Sequence, residues 1–164
     1  MPGSVVQLFI LDENPRKAAI CLCDKHLRKM CLENAQILSS VMFNWHLPRL
    51  PAMPKPYNPQ HPVIKKIDNQ AKLNWVLIYN LALQREYLFR FEKMHAYNFL
   101  AHKYMRIMYK SDTVCNDLSF ALVFKDFSAA SSDTVTAYRQ YYCYKKHAMK
   151  DFSYTKRTQP AWLI

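Results

Sequence analysis

The chain has 164 residues, 51% of them hydrophobic, with 1 Gly against 9 Pro and 14% aromatic residues. That is ample apolar material for one domain, and the scarcity of glycine argues against barrels, sandwiches and low-complexity disorder, leaving a mainly α, compact helical bundle over 1–164. The 23 Lys+Arg outweigh 12 Asp+Glu to give +11, so a polyanion is a natural partner through phosphate contacts, although charge does not identify it.

In chain order, Val5 to Leu11 is a short apolar, β-branched run bounded by turn formers, which reads as a strand or a buried extended segment. Asp12, Glu13 and Asn14 then precede Pro15, the pattern of a helix start with Asn14 or Asp12 as cap. The helical pattern of 15–45 runs unbroken or divides near Asp24, a weak helix former that can itself open a second segment. The divided form is favoured, and it would leave free backbone N–H groups beside His26, where an anion can sit. If Leu22–Ser40 is helical, that spacing carried on to Met42 puts Leu27, Cys31, Ala35, Leu38 and Met42 on one apolar stripe. His26, Lys29, Glu33 and Gln36 form a second stripe of groups that give, take or neutralise a proton, and this is the candidate site. The same spacing also suits an ordinary Lys29–Glu33 ion pair on a wet helix face.

The segment 46–62 holds most of the prolines, so neither helix nor central strand persists through it. It reads as a plain spacer or as a lid carrying Arg49, Lys55, Tyr57, Asn58 and His61. Central helices occupy 69–110, with Asp68 or Asn69 as cap and Leu73, Val76, Leu77, Leu81 and Leu88 turned inward, and a second pattern from His95 to Tyr109. Ser111 to Phe127 is a connection in which LSFALVF is either a strand paired with the N-terminal run or a buried loop. A basic helix and tail fill 131–164, with Ser131 or Ser132 as cap and Val135, Tyr138 and Tyr142 inward. Arg139, Lys145, Lys146, His147 and Lys150 decorate this helix, and the tail carries Lys156, Arg157 and Trp162.

Five cysteines, an odd number, argue for reduced thiols. Cys21 and Cys23 form a C-x-C pair near Asp24 and His26, but a helix points residues two apart in different directions, so no metal site is expected, and no cofactor. No run of about 18 apolar residues and no charged leader precede the first apolar segment, which reads as a soluble, cytoplasmic protein without a membrane partner. Walker-type loops, nucleophile elbows, paired C-x-x-C motifs and internal repeats are absent from the sequence.

Several blocks resemble a known family: N-P-x-x-A-A at Asn14–Ala19, C-D-K-H-L-x-K-M at Cys23–Met30, L-E-x-A-Q-I-L-S at Leu32–Ser39, and H-P at His61 and Pro62. A-Y-R-x-Y-Y at Ala137–Tyr142 and K-R-x-x-P-x-W at Lys156–Trp162 extend the likeness over most of the chain. Together they resemble the phage and bacterial pyrimidine dimer DNA glycosylases, or endonuclease V-like proteins, among which some phage relatives resemble enzymes that decorate thymine with amino acids or polyamines. The family pattern carries Trp a few residues after its H-P, where Lys66 or Ile67 stands here. Carried over by position, the resemblance implies Asp24, Lys25, His26, Lys29, Glu33 and Gln36 as pocket residues, with Arg139, Lys156 and Arg157 on phosphates. The phage endonuclease uses an α-amine near its N-terminus; here removal of Met1 would expose Pro2, a secondary amine able to form an iminium with an opened sugar.

Joined to the residue reading, this makes the expected protein a DNA-directed enzyme acting on a flipped-out pyrimidine. Asp24, His26, Lys29 and Glu33 are its catalytic candidates, and Lys25, Gln36, His61, Arg139, Lys145, Lys156, Arg157 and Trp162 its DNA contacts. Glu33, with Asp24 as rival, would stabilise an oxocarbenium-like sugar or activate water, Lys29 would act as acid or amine, and His26 would transfer a proton near neutral pH. The alternatives are a transferase joining an amine to an activated thymine derivative, and a non-catalytic nucleic-acid-binding protein.

Overall fold

A computed structural model describes residues 6–113 and 117–164. Six helices are formed: α1 (Pro15–Ile20), α2 (Asp24–Asn44), α3 (Pro62–Lys65), α4 (Gln70–Phe91), α5 (Asn98–Met108) and α6 (Thr134–Ala148). No strand occurs among the described residues. Val6–Leu11 is a buried irregular segment that turns at Phe9, and LSFALVF is a half-buried loop, with Phe120 inside, that meets it where the Gln7 side-chain amide donates to the Val123 carbonyl. Val5, Pro2 and Cys115 lie outside the described residues. Cys21, Cys23, Cys31 and Cys143 are free thiols.

The local signals explain the helix starts. Asn14 caps α1 by accepting from Arg16 N at 2.9 Å, with Pro15 in the first turn where its missing N–H costs nothing. Asn69 caps α4 by accepting from Lys72 N at 2.9 Å. Helix α6 is capped by Asp133 rather than by Ser131 or Ser132, because the Asp133 carboxylate accepts from both Thr136 N and Thr136 Oγ1. Helix α4 is the central element, packed against α1, α2 and α5. The stripe Leu27, Cys31, Ala35, Leu38 and Met42 is buried, and Asn34 Nδ2 donates 3.0 Å to Asn80 Oδ1 across the α2–α4 contact.

The break between α1 and α2 is built from distant parts. Cys23 opens α2 without a side-chain cap. Its N–H donates instead to the Tyr142 hydroxyl at 2.8 Å, and Asp24 N donates to the Ser153 carbonyl at 2.8 Å. The carbonyls left open by the break accept from one guanidinium, Arg90, which donates to Ile20 O at 2.9 Å and Leu22 O at 2.7 Å. Helix ends must find such partners when they are buried.

The proline-rich segment is fastened down rather than free to close as a lid. Tyr57 N donates to Ser40 Oγ at 2.9 Å, and Asn44 Nδ2 donates to Pro59 O at 2.8 Å. Both anchors lie toward the C-terminal end of α2, and Asn44 is about 16 Å along the helix axis from Glu33. Among the described residues no helix is long and apolar enough to cross a membrane.

Candidate functional site

The site starts from Phe9, whose backbone is left-handed at φ 55°, a costly conformation for a bulky residue. This turn sets the Phe9 ring between His26 at 4.8 Å, interplanar angle 19°, and Tyr141 at 6.2 Å, interplanar angle 6°. Phe152 meets the His26 ring edge-on, and His26 Nδ1 lies 2.9 Å from the Tyr142 hydroxyl. The buried imidazole therefore sits in an aromatic box at the base of the polar stripe. Burial, and then the charges of Lys145, Lys29 and Lys25, push its pKa down to about 3. Proton transfer by His26 near neutral pH does not fit this environment, because the ring stays uncharged there.

Above the box, Lys29 Nζ stands 3.4 Å from Glu33 Oε1, with side chains 52% and 23% exposed. Burial raises the Glu33 carboxyl above its ordinary value, against the opposing pull of Lys29 and Lys145. Lys145, in the last turn of α6, holds its ammonium 5.4 Å from the centre of the Tyr141 ring. Burial lowers its pKa, Lys29, Lys125 and Lys25 lower it further, and Glu33 resists. Three lysines thus act on one carboxyl group or on one another across α2 and α6. A carboxyl that keeps its proton longer and an amine that loses its proton sooner are brought together by burial and crowding of charge.

The other expected residues divide. Lys25 is exposed and Gln36 half-buried on α2. The Asp24 carboxylate is saturated: it accepts from Thr155 N at 3.0 Å, Thr155 Oγ1 at 2.7 Å and Arg90 Nη1 at 3.1 Å. Burial raises its pKa, but these donors outweigh it and hold the group below its ordinary value. His61 caps α3, accepting from Val63 N at 3.2 Å, and belongs to the anchored loop.

Arg139 and Arg157, expected on phosphates, each hold partners within the protein. Arg139 donates to Leu11 O at 2.8 Å, pairs with Asp12 and covers the Trp162 ring. Arg157 grips Glu86 with two bonds of 2.8 and 2.9 Å. Lys156 pairs with Glu92 on the surface at 3.0 Å. The tail is an internal brace, and Trp162 is half-buried within it.

A family model described as pyrimidine dimer DNA glycosylase matches residues 6–98, more than half of the chain. The chain belongs to this family. No curated protein and no solved structure matches it. The family segment contains Phe9, His26, Lys29 and Glu33 and implies a DNA substrate, whereas Lys145 and all of α6 lie beyond it. The sequence marks Lys145 as a DNA contact on a basic helix, not as a partner of Glu33. Its place beside Glu33 depends on a fold-level contact between α6 and the N-terminal half, for which no local signal exists.

Proposed function

We propose that the protein is a DNA base-acting enzyme of glycosylase or glycosylase/lyase type, with the reacting pyrimidine nucleotide extruded over Glu33, Lys29 and Lys145. The observation that supports this most is the pairing of a raised carboxyl with a lowered amine on a basic surface within a family of DNA glycosylases. Lys145, rather than Lys29, is the amine of choice, since Lys29 is committed to Glu33. Its free amine attacks C1′ as the bond from C1′ to the base breaks, the base leaving with the electron pair and taking up a proton. Glu33 supplies or holds that proton and stabilises the positive charge that develops on the sugar. Asp24 and His26 act as positioning residues, one fixing the start of α2 and the other supporting the stripe from below.

A second reading keeps the pocket but makes the protein a transferase acting on an activated thymine derivative. It is favoured by the excess of cations, Lys29 and Lys145 around Glu33 with Lys25 acting on His26 and Lys145, which suits a departing phosphate group.

Both readings are tested by incubating wild-type, Glu33→Gln and Lys145→Met proteins with DNA carrying thymine dimers or hypermodified thymine, followed by borohydride and mass spectrometry. Released base with an adduct at Lys145, lost in Lys145→Met, supports the glycosylase/lyase. Mass change confined to thymine with pyrophosphate release supports the transferase. DNA binding without change in any substrate, equal in all three proteins folded by circular dichroism, identifies a binding protein instead.

A further inference from the structure

The ring stack that supports His26 does not end inside the protein. From Phe9 it passes to Tyr141, then to Tyr144 at 6.3 Å and an interplanar angle of 21°, and Tyr144 stacks on Phe127 at 5.3 Å and 27°. The inner rings are buried, whereas Tyr144 is 40% exposed and Phe127 half-buried. Packing accounts for the inner members and leaves open what the outer pair is for. Lys145 follows Tyr144 directly, and Lys125 is near enough to act on Lys145 electrostatically. Asp126, exposed and left-handed at φ 55°, is the acidic neighbour in the same turn. A cleft of about 400 Å³ lined by Leu122, Phe124, Phe127 and Ser131 opens beside the pair.

We propose that Phe127 and Tyr144 form a stacking platform for an unpaired base of the DNA strand, next to the nucleotide held over Glu33, with Lys125 on the adjoining phosphate. The inference rests on the DNA-directed reading above. Near-parallel rings that break the surface, with Lys145 over the adjoining Tyr141 ring and Lys125 two residues before Phe127, match a nucleobase and its phosphate in both shape and charge. An apolar peptide would gain nothing from the lysines, and a phosphate alone would gain nothing from the rings. The platform lies on α6 and its preceding loop, outside the matched segment 6–98, so this part of the chain would supply contacts the family segment does not.

The test is fluorescence titration of the full-length protein with single-stranded, thymine-rich oligonucleotides carrying 2-aminopurine beside the target thymine. Wild type is expected to quench the probe, and Phe127→Leu/Tyr144→Leu to lose the quenching and bind roughly tenfold or more weakly with an unchanged salt slope. Tyr144→Trp should preserve quenching, and Lys125→Met should lower the salt slope by about one phosphate contact. Absence of quenching by wild type overturns the platform, as does equal quenching by the double-leucine variant once circular dichroism shows it folded. Base release is scored separately on the same samples. Release without quenching removes the platform and keeps the catalytic reading; quenching without release does the reverse.

Discussion

Arg90 meets Asp24 at 3.1 Å with its side chain wholly excluded from solvent, and this pair joins α4 to the first residue of α2. The same guanidinium holds Glu86 at 2.8 Å, and Glu86 in turn holds Arg157 of the tail. One buried cation thus fixes three segments that must agree before the polar stripe points outward. Charges taken out of water are costly alone and tolerable only when paired and hydrogen-bonded.

Removing Asp24 should therefore act on folding. Asp24→Ala leaves Arg90 buried without one of its carboxylates and is expected to cost about 3–5 kcal/mol in urea denaturation. Asp24→Ala/Arg90→Met should recover part of that loss, because the unpaired charge is gone. Stability of Asp24→Ala within 1 kcal/mol of wild type, with turnover abolished, would return Asp24 to the chemistry.

His26 gives the fold a pH dependence of defined sign. Its folded pKa is about 3 against an ordinary 6.5, so between these values the unfolded chain binds a proton that the native state refuses. Stability is fully present above 6.5 and falls with decreasing pH by up to about 1.4 kcal/mol per unit through that window. Asp24 and Glu86, both held below their ordinary values, lose stability in the same direction but only at lower pH. Denaturation midpoints of wild type and His26→Phe between pH 6.5 and 4.5 separate the contributions: the slope should flatten in the variant. An equal slope in both proteins would mean that the ring does not resist protonation.

What could be read along the chain was what depends on neighbours in sequence. The stripe through Leu27, Cys31 and Leu38, the division near Asp24 and the Asn69 cap follow from periodicity and capping chemistry, which act over a few residues. The contacts of Arg139 and Arg157 were not legible, because sequence records a charge and not its partner. Tyr142 reaches His26 across a separation of 116 residues, and nothing local announces that. For the same reason the sequence offers Lys145 as a DNA contact on a basic helix but not as the amine beside Glu33, which emerges only in three dimensions.

Glu33 should display a trade between stability and activity. Its folded pKa is raised, so keeping it ionised at neutral pH costs the native state stability, and that cost sets in as pH rises from its ordinary value through the folded one. Glu33→Gln removes the cost while preserving shape. The variant is expected to melt at the same temperature as wild type or higher, and to lose base release by at least a hundredfold. A marked drop in melting temperature would instead make Glu33 a partner in packing.

Lys29 tests whether the lowered amine and the raised carboxyl form one unit. Base release should follow a bell in pH, rising from the acid side as Lys145 loses its proton or Glu33 adjusts, and falling on the alkaline side, with limbs that belong to the coupled pair. Lys29 depresses both groups, Glu33 by attraction for its anion and Lys145 by repulsion of its cation. Lys29→Met removes both influences at once, so both limbs should move to higher pH while the fold, which buries little of Lys29, is unchanged. The check is a pH profile of kcat/KM for wild type and variant at fixed ionic strength, since salt weakens these couplings where they are exposed. Movement of a single limb would assign Lys29 to one partner only, and a profile that drops in height without shifting would make its role substrate binding.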